Sequence, residues 1–176
     1  MDVGFKRILK AAGDMQSDLI LQLLILLAVA NGTPVVAKLI LGQTFAQPLD
    51  GGALFLDGRP LLGPSKTIRG VVLAVLATTA AGALIGLGWE VGALVGMVAM
   101  LGDLASSFLK RRMGLPPSAR AIGLDQIPES LFPLLACRLL LPLTLFDITA
   151  AAILFLVGEL VLSRLLFKLK LRDRPY

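Results

Sequence analysis

Long apolar runs with few charges alternate with polar connections along this chain. Five runs reach or approach the 17–25 or so helical residues needed to cross about 30 Å of hydrocarbon. They predict transmembrane helices at residues 19–40, 71–87, 91–109, 127–146 and 148–167. Two connections are very short, Gly88-Trp89-Glu90 and Asp147 alone. The other two, 42–70 and 110–126, are longer and basic. The expected fold is therefore all-α: one domain over 1–176, an integral membrane bundle of five transmembrane helices with two longer cytoplasmic loops. The positive-inside rule puts both loops and the C-terminus in the cytoplasm. Lys6, Arg7 and Lys10 oppose that assignment but are outnumbered by Arg59, Lys66, Arg69, the Lys110–Arg112 run, Arg120 and the tail.

Local chemistry refines the spans. Residues 3–12 pattern as a short interfacial helix, with Phe5, Ile8, Leu9 and Ala12 on one side and basic neighbours on the other. The basic start and Ala28-Val29-Ala30 imitate a secretory signal, but apolar sequence runs on past that point, which favours a retained span. Asn31-Gly32-Thr33-Pro34 interrupts the first span and predicts a kink or break there.

Composition agrees with the pattern. Of 176 residues 56% are hydrophobic and only 16% charged, with mean hydropathy +0.84. Soluble domains lie nearer 45–50% apolar, so water is not the solvent for most of this surface. The single cysteine, Cys137, forms no internal disulfide and no thiolate metal site by itself. Histidine is absent, which removes imidazole ligands and the commonest general base. Carboxylates, hydroxyls, Lys, Arg and backbone amides remain, an inventory suited to hard cations and phosphates.

Three stretches concentrate that inventory. On a helix at 100° per residue, Asp103, Ser106, Ser107 and Lys110 share one face as the third span enters the cytoplasm. Intramembrane acids mark sites, although a carboxylate buried against a neighbouring cation reads the same way. Gly63-Pro64-Ser65-Lys66-Thr67 offers amides, a hydroxyl and an ammonium at a helix N-terminus, either for phosphate or as a turn followed by snorkelling cations. Its glycine spacing is not that of a Walker A loop. Asp125-Gln126-Ile127-Pro128-Glu129 returns to the same surface, as a helix cap or as part of a site.

Together these residues resemble the CDP-archaeol synthases, relatives of the phosphatidate cytidylyltransferases that make CDP-diacylglycerol. The pattern G-D-L-x-x-S-x-x-K-R is present as Gly102, Asp103, Leu104, Ser107, Lys110 and Arg111, followed by Asp125-Gln126. Upstream, D-G-R-x-x-x-G-x-x-K-T-x-x-G is present as Asp57-Gly58-Arg59, Gly63, Lys66-Thr67 and Gly70. Asn31 and Pro48-Leu49-Asp50-Gly51-Gly52 also look like that branch. The likeness runs from about Asn31 to Ser130. Two departures stand out: Pro128 occupies the place of a second Asp, with Glu129 next, and the glycine-histidine segment of the diacylglycerol-type enzymes is missing.

The resemblance implies a lipid phosphate attacking the α-phosphorus of CTP in a Mg²⁺-dependent reaction at the cytoplasmic face of the cell membrane. It implies Asp103, Asp125 and Glu129 for the metal, and Lys110 and Arg111 beside the two Asp residues as catalytic groups. Lys66, Thr67, Arg69, Ser107, Asp50, Asp57, Arg59 and Asn31 are then expected around nucleotide and phosphate. The expected partners are CTP, a membrane lipid phosphate of ether or ester type and the bilayer, with no nucleic acid. The rival readings are a small transporter using Arg138, Glu159 and Arg164, and an inactive homologue. Depth counting from Asp147 further predicts an Arg138–Glu159 ion pair.

Overall fold

Proline and capping hydroxyls, more than changes of hydropathy, divide the apolar sequence into helices. A computed structural model describes residues 16–117, 121 and 123–168. The expected interfacial helix at 3–12, Arg120, and the tail cations Lys170, Arg172 and Arg174 lie outside the described residues. The helices are α1 (Ser17–Leu41), α2 (Ile68–Leu84), α3 (Trp89–Arg112), α4 (Gln126–Cys137) and α5 (Leu145–Lys168). No strand occurs among the described residues, only isolated bridges at Pro48–Thr67 and Leu54–Pro60. Three helices are long and apolar enough to cross a membrane: α1, α3 and Leu145–Arg164 of α5. Helix α2 has 17 residues and α4 only 12, so α4 is about 18 Å long at 1.5 Å per residue.

The expected fourth span, 127–146, is corrected. Helix α4 stops at Cys137, and 138–144 forms the connection. Pro142 lacks an N–H to continue the helix, and Thr144 opens α5 through a reciprocal capping box with Asp147. Asp147 N donates to Thr144 Oγ1 at 3.1 Å, while Thr144 N and Oγ1 donate to Asp147 Oδ2 at 3.0 and 2.7 Å. Asp147 thus lies in the first turn of α5, as the partner of the Thr144 cap, and is not the turn. The early stop also separates the expected Arg138–Glu159 pair. Arg138 is the exposed C-cap of α4, whereas Glu159 is an electrostatic neighbour of Glu129 in α4's first turn. Nine helical rises, about 13 Å, separate those levels.

Of the kink or break expected in α1, the break is absent: the helix continues through Asn31 and Pro34 to Leu41. Asn31 Nδ2 and Thr33 Oγ1 donate back to the carbonyls of Leu27 (3.0 Å) and Val29 (2.6 Å), so the polar side chains are satisfied inside the helix. Helix α3 extends to Arg112, placing Lys110, Arg111 and Arg112 in its last turn, where cations complement the helix dipole.

Helix α3 is central, packing against α1, α2 and α4. It approaches α2 closely because Gly92 has no side chain: a Cβ there would lie 2.3 Å from Thr78 O, the small-residue contact common between membrane helices. Leu23, Leu26 and Leu27 of α1 fill the core with Val95 of α3, Leu134 of α4 and Phe155 of α5. The chain runs up and down, so the end of α1, the start of α2, the end of α3 and the start of α4 meet at one end of the bundle.

Candidate active site

Among the described residues that end holds four of the five buried charged side chains, Lys110, Arg111, Asp125 and Glu129, with Asp147 at the other. Gly102 creates the charged end: a Cβ there would sit 2.3 Å from Pro128 O and 2.9 Å from Glu129 N. Only hydrogen at this position lets the first turn of α4 touch α3. Glu129 then hydrogen-bonds the neighbouring Asp103 carboxyl. From the other side Lys66 Nζ, just before α2, lies 2.5 Å from both Asp103 oxygens. Both side chains of this ion pair are about four-fifths buried.

A second pair lies further along α3. Lys110 Nζ is 2.6 Å from Asp125 Oδ1, and Asp125 Oδ2 accepts from Ala121 N at 3.1 Å. Beside it Arg111 is only 4% exposed, with Asp125 as an electrostatic partner. Its Nε and Nη1 nevertheless have no hydrogen-bond acceptor. A buried guanidinium with open donors costs stability unless an acceptor arrives. Ser106 and Ser107 are buried alongside, Ser106 Oγ donating to Asp103 O at 2.9 Å.

The loop 42–67 is ordered. Its base pairs 47–49 with 66–68 through Leu49 N to Lys66 O (2.7 Å) and Ile68 N to Gln47 O (3.1 Å). Asp50 organises the interior: Oδ1 accepts from Gly52 N, and Oδ2 from Leu62 N and Gly63 N, at 2.9–3.0 Å. Partial burial raises the pKa of Asp50, but the amides of Gly63, Leu62 and Gly52 outweigh it and hold the carboxyl below the ordinary 3.8. Gly63, at φ +96°, would place a Cβ 3.9 Å from Arg111 Nη1, so the loop backbone runs beside that guanidinium.

Of the residues expected at the site, Lys66, Asp103, Glu129, Lys110, Asp125 and Arg111 come together at this end. Asp125 turns to Lys110, and no group of three or more His, Cys, Asp or Glu is arranged to hold a metal ion among the described residues. The remaining candidates make local contacts. Thr67 caps α2, accepting from Gly70 N at 3.1 Å. Arg69 donates to Thr44 O and, at 3.1 Å, to Gly42 O at the end of α1. Asn31 bonds within α1; Asp57 and Arg59 engage the end of α3. Sequence reasoning missed Glu159 beside Glu129 and the part played by Arg112. An open apolar groove of about 680 Å³ runs between α1 and α2, past Gly32, Thr33, Val36 and Leu73.

A polytopic helical bundle with paired and part-satisfied charges sunk at one end defines a class: an intramembrane enzyme handling anionic substrates. The family model described as CarS-like, CDP-archaeol synthase, matches residues 16–176. The chain belongs to the CDP-archaeol synthase family. It is 33% identical over 154 residues to a CDP-archaeol synthase of Sulfurisphaera tokodaii, covering 84% of this chain and 89% of that one. It is 36% identical over 149 residues to one of Saccharolobus islandicus, covering 80% and 83%. A solved structure described as an intramembrane enzyme for archaeal membrane lipids biosynthesis superposes with TM-score 0.71 at 33% identity, covering 81% of this chain and 90% of the other.

Proposed function

We propose that the protein is a CTP-dependent cytidylyltransferase that condenses CTP with a membrane lipid phosphate, giving a CDP-activated lipid and pyrophosphate. The names of its relatives favour an ether-linked, archaeol-type lipid over phosphatidic acid. One observation carries the reading: the buried Arg111 guanidinium keeps two open donors between Lys110 and the loop that presents Lys66. Three cations gathered at one end of the bundle suit a triphosphate.

The mechanism asks little proton chemistry of the protein. A phosphate monoester is already anionic at neutral pH, so its oxygen attacks the α-phosphorus without a strong base, consistent with a chain lacking histidine. The P–O bond to the β-phosphate breaks, and pyrophosphate leaves with its electron pair. Bringing two anions together is the difficulty, and fixed positive charge in a partly dehydrated site lowers it. Arg111 binds the triphosphate through Nε and Nη1. Lys110 and Lys66, released in part from Asp125 and Asp103, follow onto phosphate oxygens, and Ser107 supplies a further donor.

Asp103 and Glu129 fit Mg²⁺, because two adjoining carboxyl groups supply the one or two protein ligands this ion takes alongside substrate phosphates; Asp125 stands next in line. When bound, the ion offsets charge on the triphosphate. We place the bundle in the membrane with the site and C-terminus cytoplasmic, where CTP is, and the lipid chains in the groove between α1 and α2. Incubating the purified protein in liposomes with radiolabelled CTP, Mg²⁺ and either ether- or ester-linked lipid phosphate tests the reading. Label should enter a CDP-lipid, the ether form faster; label in neither lipid contradicts it.

A further inference from the structure

The Asp57-Gly58-Arg59 segment and Arg112 make the densest set of side-chain contacts outside the buried pairs. Leu54 to Pro60 folds as a tight hairpin, with Phe55 N donating to Arg59 O at 2.8 Å and Leu61 N to Ala53 O at 2.9 Å. Its tip lies against the last turn of α3. Arg112 Nη1 reaches Asp57 Oδ1 at 2.5 Å, and Nη2 reaches Pro60 O at 2.5 Å. In return Arg59 Nη1 donates to Arg112 O at 2.6 Å, one of the carbonyls that a helix end leaves without an internal partner. The Arg112 guanidinium lies 4.7 Å from the Phe55 ring and 5.0 Å from the Phe108 ring. Those rings meet edge to face at 5.2 Å. Such stacking holds an arginine plane in place as well as adding attraction.

We infer that Asp57, Arg59 and Arg112 form a latch that holds the two halves of the phosphate site in register. This rests on the cytidylyltransferase reading for the identity of the ligand. One half, Lys110 and Arg111, lies in the turn whose terminal carbonyl Arg59 caps. The other half, Gly63 and Lys66, follows the hairpin after a few residues pinned by Asp50. Nη1 and Nη2 of Arg112 are committed to the hairpin and only Nε is left without an acceptor, so Arg112 acts on CTP through position. These three are positioning residues. They touch neither Asp103 nor the open donors of Arg111.

The test uses the full-length protein in liposomes: wild type, Asp57→Asn, Arg112→Gln and the double variant. For each, turnover against CTP and against lipid phosphate, Tm, and hydrogen exchange of the hairpin amides are measured. The latch predicts that each single variant raises KM for CTP about tenfold, the scale of losing one charge-assisted contact. KM for lipid phosphate and Tm should hold. The double variant should be no worse than either single one, because both changes cut the same connection. Exchange at Phe55 and Leu61 should rise about tenfold in all three variants while α3 stays protected. If Arg112 contacts CTP directly, Asp57→Asn leaves hairpin exchange unchanged and leaves KM for CTP unchanged or lower; that result overturns the latch. Should wild type fail to turn over CTP with any lipid phosphate, the cytidylyltransferase reading falls, and hairpin exchange still decides the latch.

Discussion

The two ends of the bundle treat polar groups in opposite ways. At the end formed by the start of α1, the α2–α3 turn and the 138–144 connection, acceptors and donors are matched locally. Asp147 takes Thr144 N and Oγ1 together with Gln16 N; Gln16 Nε2 donates to Pro142 O at 2.9 Å, and Gln22 Nε2 to Ile85 O at 2.8 Å. At the other end cations and carboxylates are sunk together, and Arg111 is left with open donors. Matched polar groups close a fold. Buried charge with donors to spare has a stability cost that makes sense only with a ligand. The contrast separates structural polar residues from working ones without reference to sequence likeness.

The comparison is sharpest at Gly102. Alanine there drives a Cβ against Pro128 O, so α4 must move and Glu129 must leave Asp103. Gly102→Ala should lower turnover by roughly a hundredfold or more, the range for displacing a catalytic group by about 1 Å. Gly158→Ala, where nothing lies within 4 Å, should change neither turnover nor Tm. Equal effects at the two positions would remove the special status of the α3–α4 contact.

Lys110→Ala breaks a buried ion pair and leaves Asp125 with Ala121 N and Arg111. It should abolish turnover and also destabilise the fold by about 3–5 kcal/mol, the usual scale for removing one partner of a buried pair. Both effects are read from one preparation, by CTP assay and thermal denaturation. Loss of turnover at unchanged Tm would make the Lys110–Asp125 pair catalytic without being structural.

Much of this division was legible in the sequence, and what escaped did so for physical reasons. The Gly102-Asp103 and Lys110-Arg111 spacing located the site because helical period puts those residues on one face. Glu129 was traceable by the same rule, being one helical step from the departure at Pro128. The 138–144 connection was hidden because Leu139, Leu140, Leu141, Leu143 and Phe146 keep the segment as apolar as a span; hydropathy does not register a cap, yet Thr144-x-x-Asp147 was there to be read. Glu159 was misplaced through that same error in counting. Of the kink or break expected at Pro34 the break does not occur, because one missing N–H is a loss that a long apolar helix carries without ending. The part played by Arg112 escaped because only the folded hairpin brings Asp57 and Phe55 to it.

Smaller effects are expected at the structural end. Asp147→Ala removes the partner of the Thr144 cap of α5 and should lower stability by about 1 kcal/mol while KM for CTP stays at the wild-type value, measured by thermal denaturation and CTP titration. A change in CTP affinity there would erase the distinction between the ends. Smallest is the acid response of the loop. The pKa of Asp50 is lower folded than unfolded, so its contribution is present above the ordinary value of 3.8 and is lost as pH falls through the folded value. Hairpin and loop exchange should therefore hold constant from neutral pH to about 4 and loosen only below it, once exchange rates are corrected for intrinsic chemistry; Asp50→Asn should abolish that acid transition.

Arg111 carries the central claim, because among the described residues it is the cation with two buried donors to spare. Replacing it with methionine keeps the bulk and removes both the charge and the open donors. Equilibrium binding of labelled CTP to the Arg111→Met protein, with Tm recorded on the same sample, tests the claim most directly. CTP affinity should fall at least about a hundredfold, the scale of losing a charged bidentate contact, while Tm stays level or rises as an unsatisfied buried charge disappears. Wild-type CTP affinity in that variant would contradict the account, as would a fall in Tm large enough to explain the lost binding by unfolding.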